Sequence, residues 1–163
     1  MEKGDIAREN FKTGLNCAQA VLLAFSDEIG IEEQELSKLI MGFGGGFARQ
    51  RYVCGAVSGM TAVLGSLLSD GKDKLAIYKI VKEAMDKFSE QTGSVICAEL
   101  LDSETLKDKS IVPEERTEKY YKKRPCAELC ALASSIAEEL IKKIQIKQTN
   151  QGGKIWIIYK KKL

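Results

Sequence analysis

The chain has 163 residues, 44% of them apolar and 29% charged, with a net charge of +2. That length supports one soluble domain with a real core, and dispersed basic residues at so low a net charge leave no nucleic-acid footprint. Histidine is absent, which excludes Cys–His nucleophile pairs, His-based zinc sites, His general bases and His-ligated haem. The start, Met1-Glu2-Lys3-Gly4-Asp5, has no secretory pattern, and no apolar run reaches the roughly 18 residues needed to span a bilayer. A cytoplasmic location is therefore expected. There the five cysteines would stay reduced rather than form a structural disulfide framework.

In chain order, Asp5 to Lys12 reads as a weak first helix ended by Gly14. Asn16 is an N-cap, and Gln19 three residues on completes a capping-box pattern. The helix it opens, from Cys17 to about Glu28, is apolar over most of its circumference and is closed by Gly30. A shorter helix spans Glu32 to about Met41, followed by the Gly42–Gly46 loop. Cys54 to Ser69 is a second strongly apolar helix. Within it Gly55 and Gly59 lie four apart on one face, where a neighbouring helix can approach closely. Lys72 to about Glu90 is amphipathic, with Leu75, Ile77, Ile80, Val81, Ala84, Met85 and Phe88 inward.

Thr92-Gly93 ends that helix, and Ser94 caps a short one over Val95–Leu101. Asp102 to Lys119 reads as loop plus weak helix. Pro125 opens the last helix, which runs to about Ile144. The expectation is an all-α, single-domain bundle of about five to seven helices over 1–147. A basic, aromatic tail covers 148–163, where Lys154 to Tyr159 suits a short strand at a sheet edge or partner interface, a membrane-surface segment or a disordered extension.

Four cysteines, Cys17, Cys54, Cys97 and Cys126, fall in the first turn of four different predicted helices. Converging helix N-termini make an electropositive, donor-rich setting that favours thiolates. Cys54 follows a glycine-rich loop, Gly44-Gly45-Gly46, and the pair Arg49 and Arg51. It is the candidate attacking thiol, with Gly55 beside it allowing close approach of a ligand or backbone. The loop glycines, both arginines and Gly55 are the candidate cofactor- or ligand-binding residues. Cys126 and Cys130 form CxxxC rather than CxxC, and Cys130 reads as packing.

Cys54-Gly55-Ala56-Val57-Ser58-Gly59 matches a CGAxxG motif. Asn16-Cys17-Ala18-Gln19-Ala20-Val21, Phe43-Gly44-Gly45-Gly46, Gly93-Ser94-Val95-Ile96-Cys97 and a late cysteine ahead of Ala133-Ser134-Ser135-Ile136 follow in order. With these landmarks the chain resembles the C_GCAxxG_C_C family of redox-active proteins over roughly residues 5–144. The resemblance implies redox activity, an association with transporter genes, and Cys17, Cys54, Cys97 and Cys126 as the family's four cysteines. Cys130 and the Trp156 tail are extra to that pattern.

Three functions follow. One is thiol–disulfide or electron-transfer chemistry, an oxidoreductase role. Another is an iron–sulfur or zinc module with Cys17, Cys54, Cys97 and Cys126 as ligands. The last is a non-catalytic helical partner of a membrane transporter. A redox partner protein or transporter is the expected partner, and the glycine-rich helix face and apolar tail leave room for a homodimer.

Overall fold

A computed structural model gives the backbone of residues 1–150 and the side chains of residues 1–146. Its helices are α1 (Lys3–Lys12), α2 (Cys17–Leu23), α3 (Ser26–Ile29), α4 (Glu33–Ile40), α5 (Gly55–Leu68), α6 (Lys74–Thr92), α7 (Cys97–Leu100), α8 (Ser103–Lys107), α9 (Glu118–Lys123) and α10 (Cys126–Asn150), with a 3-10 turn at Met41–Phe43. The fold is all-α, as expected. The tail that suggested a strand or partner contact lies outside the described residues. Among the described residues no helix is long and apolar enough to cross a membrane.

Among the described residues the helix count exceeds the expected range. The predicted Cys17–Glu28 helix divides at Ala24-Phe25. There the Ala24 and Phe25 N–H groups donate three residues back, to Val21 and Leu22, instead of four. Lys3 Nζ donates to the Ala24 carbonyl at 2.8 Å and lies 5.0 Å above the Phe25 ring. This cap from a distant segment lets Phe25 turn into the core, where it is buried. The polar stretch after Leu101 holds two short helices, each begun by a side-chain cap: Asp102 accepts from the Thr105 N–H and Thr117 from the Tyr120 N–H.

The bundle is organised around α2, α5 and α10, which pack on one another, with α1 against α2 and α10 and α6 against α5 and α10. Val21, Val57, Met60, Val63, Leu64, Phe88 and Leu140 are the fully buried centre. Burying each such side chain contributes about 1.5–3 kcal/mol. The face carrying Gly55 and Gly59 meets α2, as anticipated. A Cβ on Gly59 would lie 2.8 Å from the Ala18 carbonyl oxygen, and one on Gly55 would lie 3.0 Å from the Cys17 Cβ. Glycine at these two positions therefore sets the α2–α5 distance and seats Cys17 against the start of α5. On the opposite side, Arg8 grips Glu128 with a two-pronged ion pair of 2.9 and 3.0 Å, fixing α1 beside the first turn of α10.

Candidate functional site

The helices begin where the cysteines are. Cys17, Cys97 and Cys126 are the first residues of α2, α7 and α10, and Cys54 is the N-cap of α5. All four line one cavity of about 400 Å³. Cys130 is absent from that lining, fully buried one turn into α10, where its Sγ donates to the Cys17 carbonyl at 3.6 Å.

Cys17 is placed by its cap. Asn16 Oδ1 accepts from the Ala18 and Gln19 N–H groups at 3.0 Å, and Gln19 Oε1 accepts from the Asn16 N–H at 3.0 Å. Asn16 Nδ2 then donates to the Met41 carbonyl at 2.9 Å, tying the start of α2 to the glycine-rich segment. A Cβ on Gly44 would fall 2.6 Å from the Asn16 side chain.

The glycine-rich segment is more than a flexible loop. Gly45, Gly46, Phe47, Ala48 and Arg49 have consecutive positive φ values of 64, 69, 61, 49 and 64°, and Arg51 follows at 65°. This is a left-handed turn, a conformation that costs non-glycine residues about 1–2 kcal/mol each. Hydrogen bonds from the Ala48 N–H to the Gly42 carbonyl (2.9 Å), the Arg51 N–H to Gly45 (3.2 Å) and the Tyr52 N–H to Gly46 (3.1 Å) hold it. Arg49 Nη2 adds ion pairs to Asp108 (2.6 Å) and Glu114 (3.4 Å). Strain of this kind persists only where surrounding contacts over-determine it, and it concentrates at functional sites.

The chain leaves this turn through a single antiparallel bridge, Val53 to Ile96. The Cys54 N–H donates to the Val95 carbonyl at 2.8 Å and the Cys97 N–H to the Tyr52 carbonyl at 2.6 Å. Side chains alternate across such a bridge, so Cys54 and Cys97 share the side opposite Val53 and Ile96. That side is the cavity. A Cβ on Gly46 would be 2.8 Å from the Cys97 Cβ, so the left-handed turn presses directly on this cysteine. Gly44, Gly45, Arg49, Arg51 and Gly55 also line the cavity, whereas Gly46 supports Cys97 from outside the lining.

Electrostatics correct one expectation. Helix starts do not make these thiols acidic, because thiol–thiol hydrogen bonds at Cys17 and Cys126, and burial at all four, outweigh the donors. The Cys54 thiol is pushed up to about 12 by burial, against the opposing pull of the Ala56 and Val57 N–H groups. For Cys17, the Cys126 hydrogen bond acts to lower its pKa, but the Cys130 hydrogen bond and burial leave it well raised. Cys126 is raised by its hydrogen bond to Cys17 and by burial. Cys97 is also raised by burial, yet the Arg51 charge and hydrogen bond and the Arg124 charge pull it back. Arg51 thus serves Cys97 rather than Cys54. The reduced site is a set of protonated thiols at neutral pH.

Further residues complete the walls. Arg116 stacks on Phe11 and Tyr120, with its guanidinium 4.5 and 4.7 Å from the ring centroids, and Arg124 lies 4.8 Å from Tyr120. Arg124 is ion-paired with Glu114. Arg124 stands two residues before Cys126, a proximity the sequence offered. Arg116 and Tyr120 come from an aperiodic polar stretch and were not readable. Among the described residues no three His, Cys, Asp or Glu side chains converge closely enough to hold a metal ion.

A family described as "Putative redox-active protein (C_GCAxxG_C_C)" matches residues 15–140. No curated protein and no solved structure matches the chain. The family match spans all four helix-start cysteines, the left-handed turn and the bridge, and covers well over half of the sequence. The chain belongs to the C_GCAxxG_C_C family.

Proposed function

We propose that this is a dithiol–disulfide redox protein whose working groups are the four cavity cysteines, with Cys97 as the attacking thiol and Cys54 as its resolving partner. One observation carries the reading: four cysteines from four separate segments line one cavity, and two of them share one side of a single bridge. Cys97 takes the attacking role because Arg51 acts on it directly. The thiolate is the reactive form, and an adjacent cation favours it.

The partner is a disulfide. Cys97 sulfur bonds to one sulfur of that disulfide, whose S–S bond breaks, and the first product leaves as a thiol carrying the Cys97 proton. Cys54 then attacks the Cys97 sulfur of the mixed disulfide and releases the second product thiol, which takes the Cys54 proton. The protein loses two electrons and the disulfide gains them. Cys17 and Cys126, the strongest electrostatic influence on one another's thiols, form a second pair able to pass the oxidation inward by the same exchange.

An iron–sulfur or zinc centre on Cys17, Cys54, Cys97 and Cys126 is the second reading. It is favoured by the same convergence, and it requires the thiols to draw closer together than they stand. Anaerobically purified protein separates the two. The dithiol reading predicts a colourless, metal-free preparation that loses thiols in twos on mild oxidation. Stoichiometric iron with visible absorption, or stoichiometric zinc, would overturn it in favour of the metal centre.

A further inference from the structure

The cavity carries more positive charge than thiol chemistry alone uses. Four guanidinium groups line it, from Arg49, Arg51, Arg116 and Arg124, against one carboxylate, Glu114. Glu114 is already committed to Arg124 and Arg49, and Asp108 to Arg49. Among the described residues Arg51 and Arg116 have no carboxylate partner. Buried N–H donors of three arginines, Arg49 Nε, Arg51 Nη2 and Arg116 Nη1, have no acceptor.

A buried donor left without an acceptor costs about 1–3 kcal/mol, and more when it is charged. Arg51 and Arg116, which line the cavity without a carboxylate partner, suit an oxyanion brought in by a ligand. Planar guanidinium forks suit a carboxylate. At about 400 Å³ the cavity is in the size range of small organic ligands rather than bare inorganic ions. Met41, Ile111, Pro113 and Leu129 supply apolar wall for the body of such a molecule.

We infer that the cavity selects small anionic disulfides, seating a carboxylate against the guanidinium groups of Arg51 and Arg116 while the sulfur–sulfur bond faces Cys97. This rests on the dithiol reading for the sulfur chemistry, but the anion site stands on the arginines alone. The two parts are tested separately.

Exchange rates of the reduced full-length protein are measured with dithiobis(nitrobenzoate), uncharged dithiodipyridine and cationic cystamine, each normalised to the urea-unfolded chain. In each reaction the cysteine sulfur gains the reagent sulfur, the reagent S–S bond breaks, the leaving thiolate takes the electron pair, and the cysteine proton goes to solvent. The expected result is a preference for the carboxylate reagent over cystamine of about tenfold, lost in R116Q. Calorimetry with nitrobenzoate, which cannot exchange, reads the anion site directly. Binding that weakens about tenfold in R116Q supports the site even if no protein disulfide ever forms, in which case only the dithiol reading fails.

Should R116Q not fold, R116K keeps the charge and loses the fork; it is expected to retain the reagent preference and to bind nitrobenzoate more weakly. No nitrobenzoate binding, or no charge preference, overturns the proposal. Sulfate binding as tightly as nitrobenzoate overturns the organic-ligand assignment in favour of an inorganic oxyanion.

Discussion

The two walls of the cysteine cavity are built on opposite principles. On one, Cys17 and Cys126 begin ordinary helices, one closed by a reciprocal Asn16–Gln19 cap and the other opening behind Pro125. Every backbone angle there is one any residue adopts. On the other, Cys54 and Cys97 hang from a left-handed turn and a single bridge, with Phe47, Ala48, Arg49 and Arg51 at positive φ. The relaxed wall fixes position. The strained wall brings Arg49 and Arg51 to the cavity and Arg51 to Cys97, and it is held by the ion pairs of Arg49 and by hydrogen bonds within the turn. Conformational strain and local charge thus sit with Cys97, the thiol proposed to attack.

The sharpest way to break this contrast is to crowd the strained wall. Gly46→Val places a branched side chain at φ 69° and 2.8 Å from both the Cys97 Cβ and the Tyr52 nitrogen. It is expected to cost about 3 kcal/mol or more in urea unfolding. Gly65→Ala, in the interior of α5 with no atom within 4 Å of the added carbon, is expected to stabilise by about 1 kcal/mol or less. Equal effects at the two glycines would remove the distinction.

Alkali probes burial next. The Cys54 thiol titrates at about 12 in the folded chain against 9.0 for a free thiol. Below pH 9.0 both states hold the proton and the full stability is present. Between 9.0 and about 12 the unfolded chain releases it first, so stability falls as pH rises. Tyr120, raised to about 12 by burial, acts in the same direction. Chemical denaturation across this range is expected to show a downward slope that is shallower in Cys54→Ala. An unchanged slope would mean that this thiol is not held protonated by its burial.

A smaller effect sharpens the assignment of Arg51. Arg51→Gln is expected to slow iodoacetamide alkylation of Cys97 at pH 8 by about threefold to tenfold, because the Arg51 charge favours the thiolate. Arg49→Gln, whose guanidinium is already neutralised by Asp108 and Glu114, should alter that rate less. Peptide-resolved mass spectrometry gives the rate at each cysteine. The reverse order would move the activating role to Arg49. Ala48→Gly relieves a positive φ of 49° on an exposed residue. Relief of about 1–2 kcal/mol against an entropic cost of about 0.4–1 kcal/mol leaves a gain below about 1.5 kcal/mol. A loss of stability would show that the turn is not strained at Ala48.

The same division explains what was legible in the sequence. Asn16 and Gln19, Gly93, Pro125 and the apolar periodicities act locally, so the relaxed wall and the helix-start cysteines could be read in order. Gly55 and Gly59 announced a close helix contact, and α2 supplies it. The break at Ala24-Phe25 could not be read, because Lys3 makes it from a distant segment. Three glycines foretold freedom after Phe43, but not that Phe47, Ala48 and Arg49 would continue the left-handed path. That outcome depends on Asp108 and Glu114, about sixty residues later. Arg116 and Tyr120 reach the cavity for equally non-local reasons. Low-pKa thiols were expected from helix ends; burial, a tertiary property, reverses the sign.

The most direct test of the central claim is to map the disulfides formed when the reduced, metal-free protein is titrated with a small disulfide, using differential alkylation and peptide mass spectrometry. The account predicts a Cys54–Cys97 disulfide first, a Cys17–Cys126 disulfide at higher oxidant, and Cys130 reduced throughout. Oxidation that falls first on Cys130, or leaves all four cavity thiols free, would contradict it.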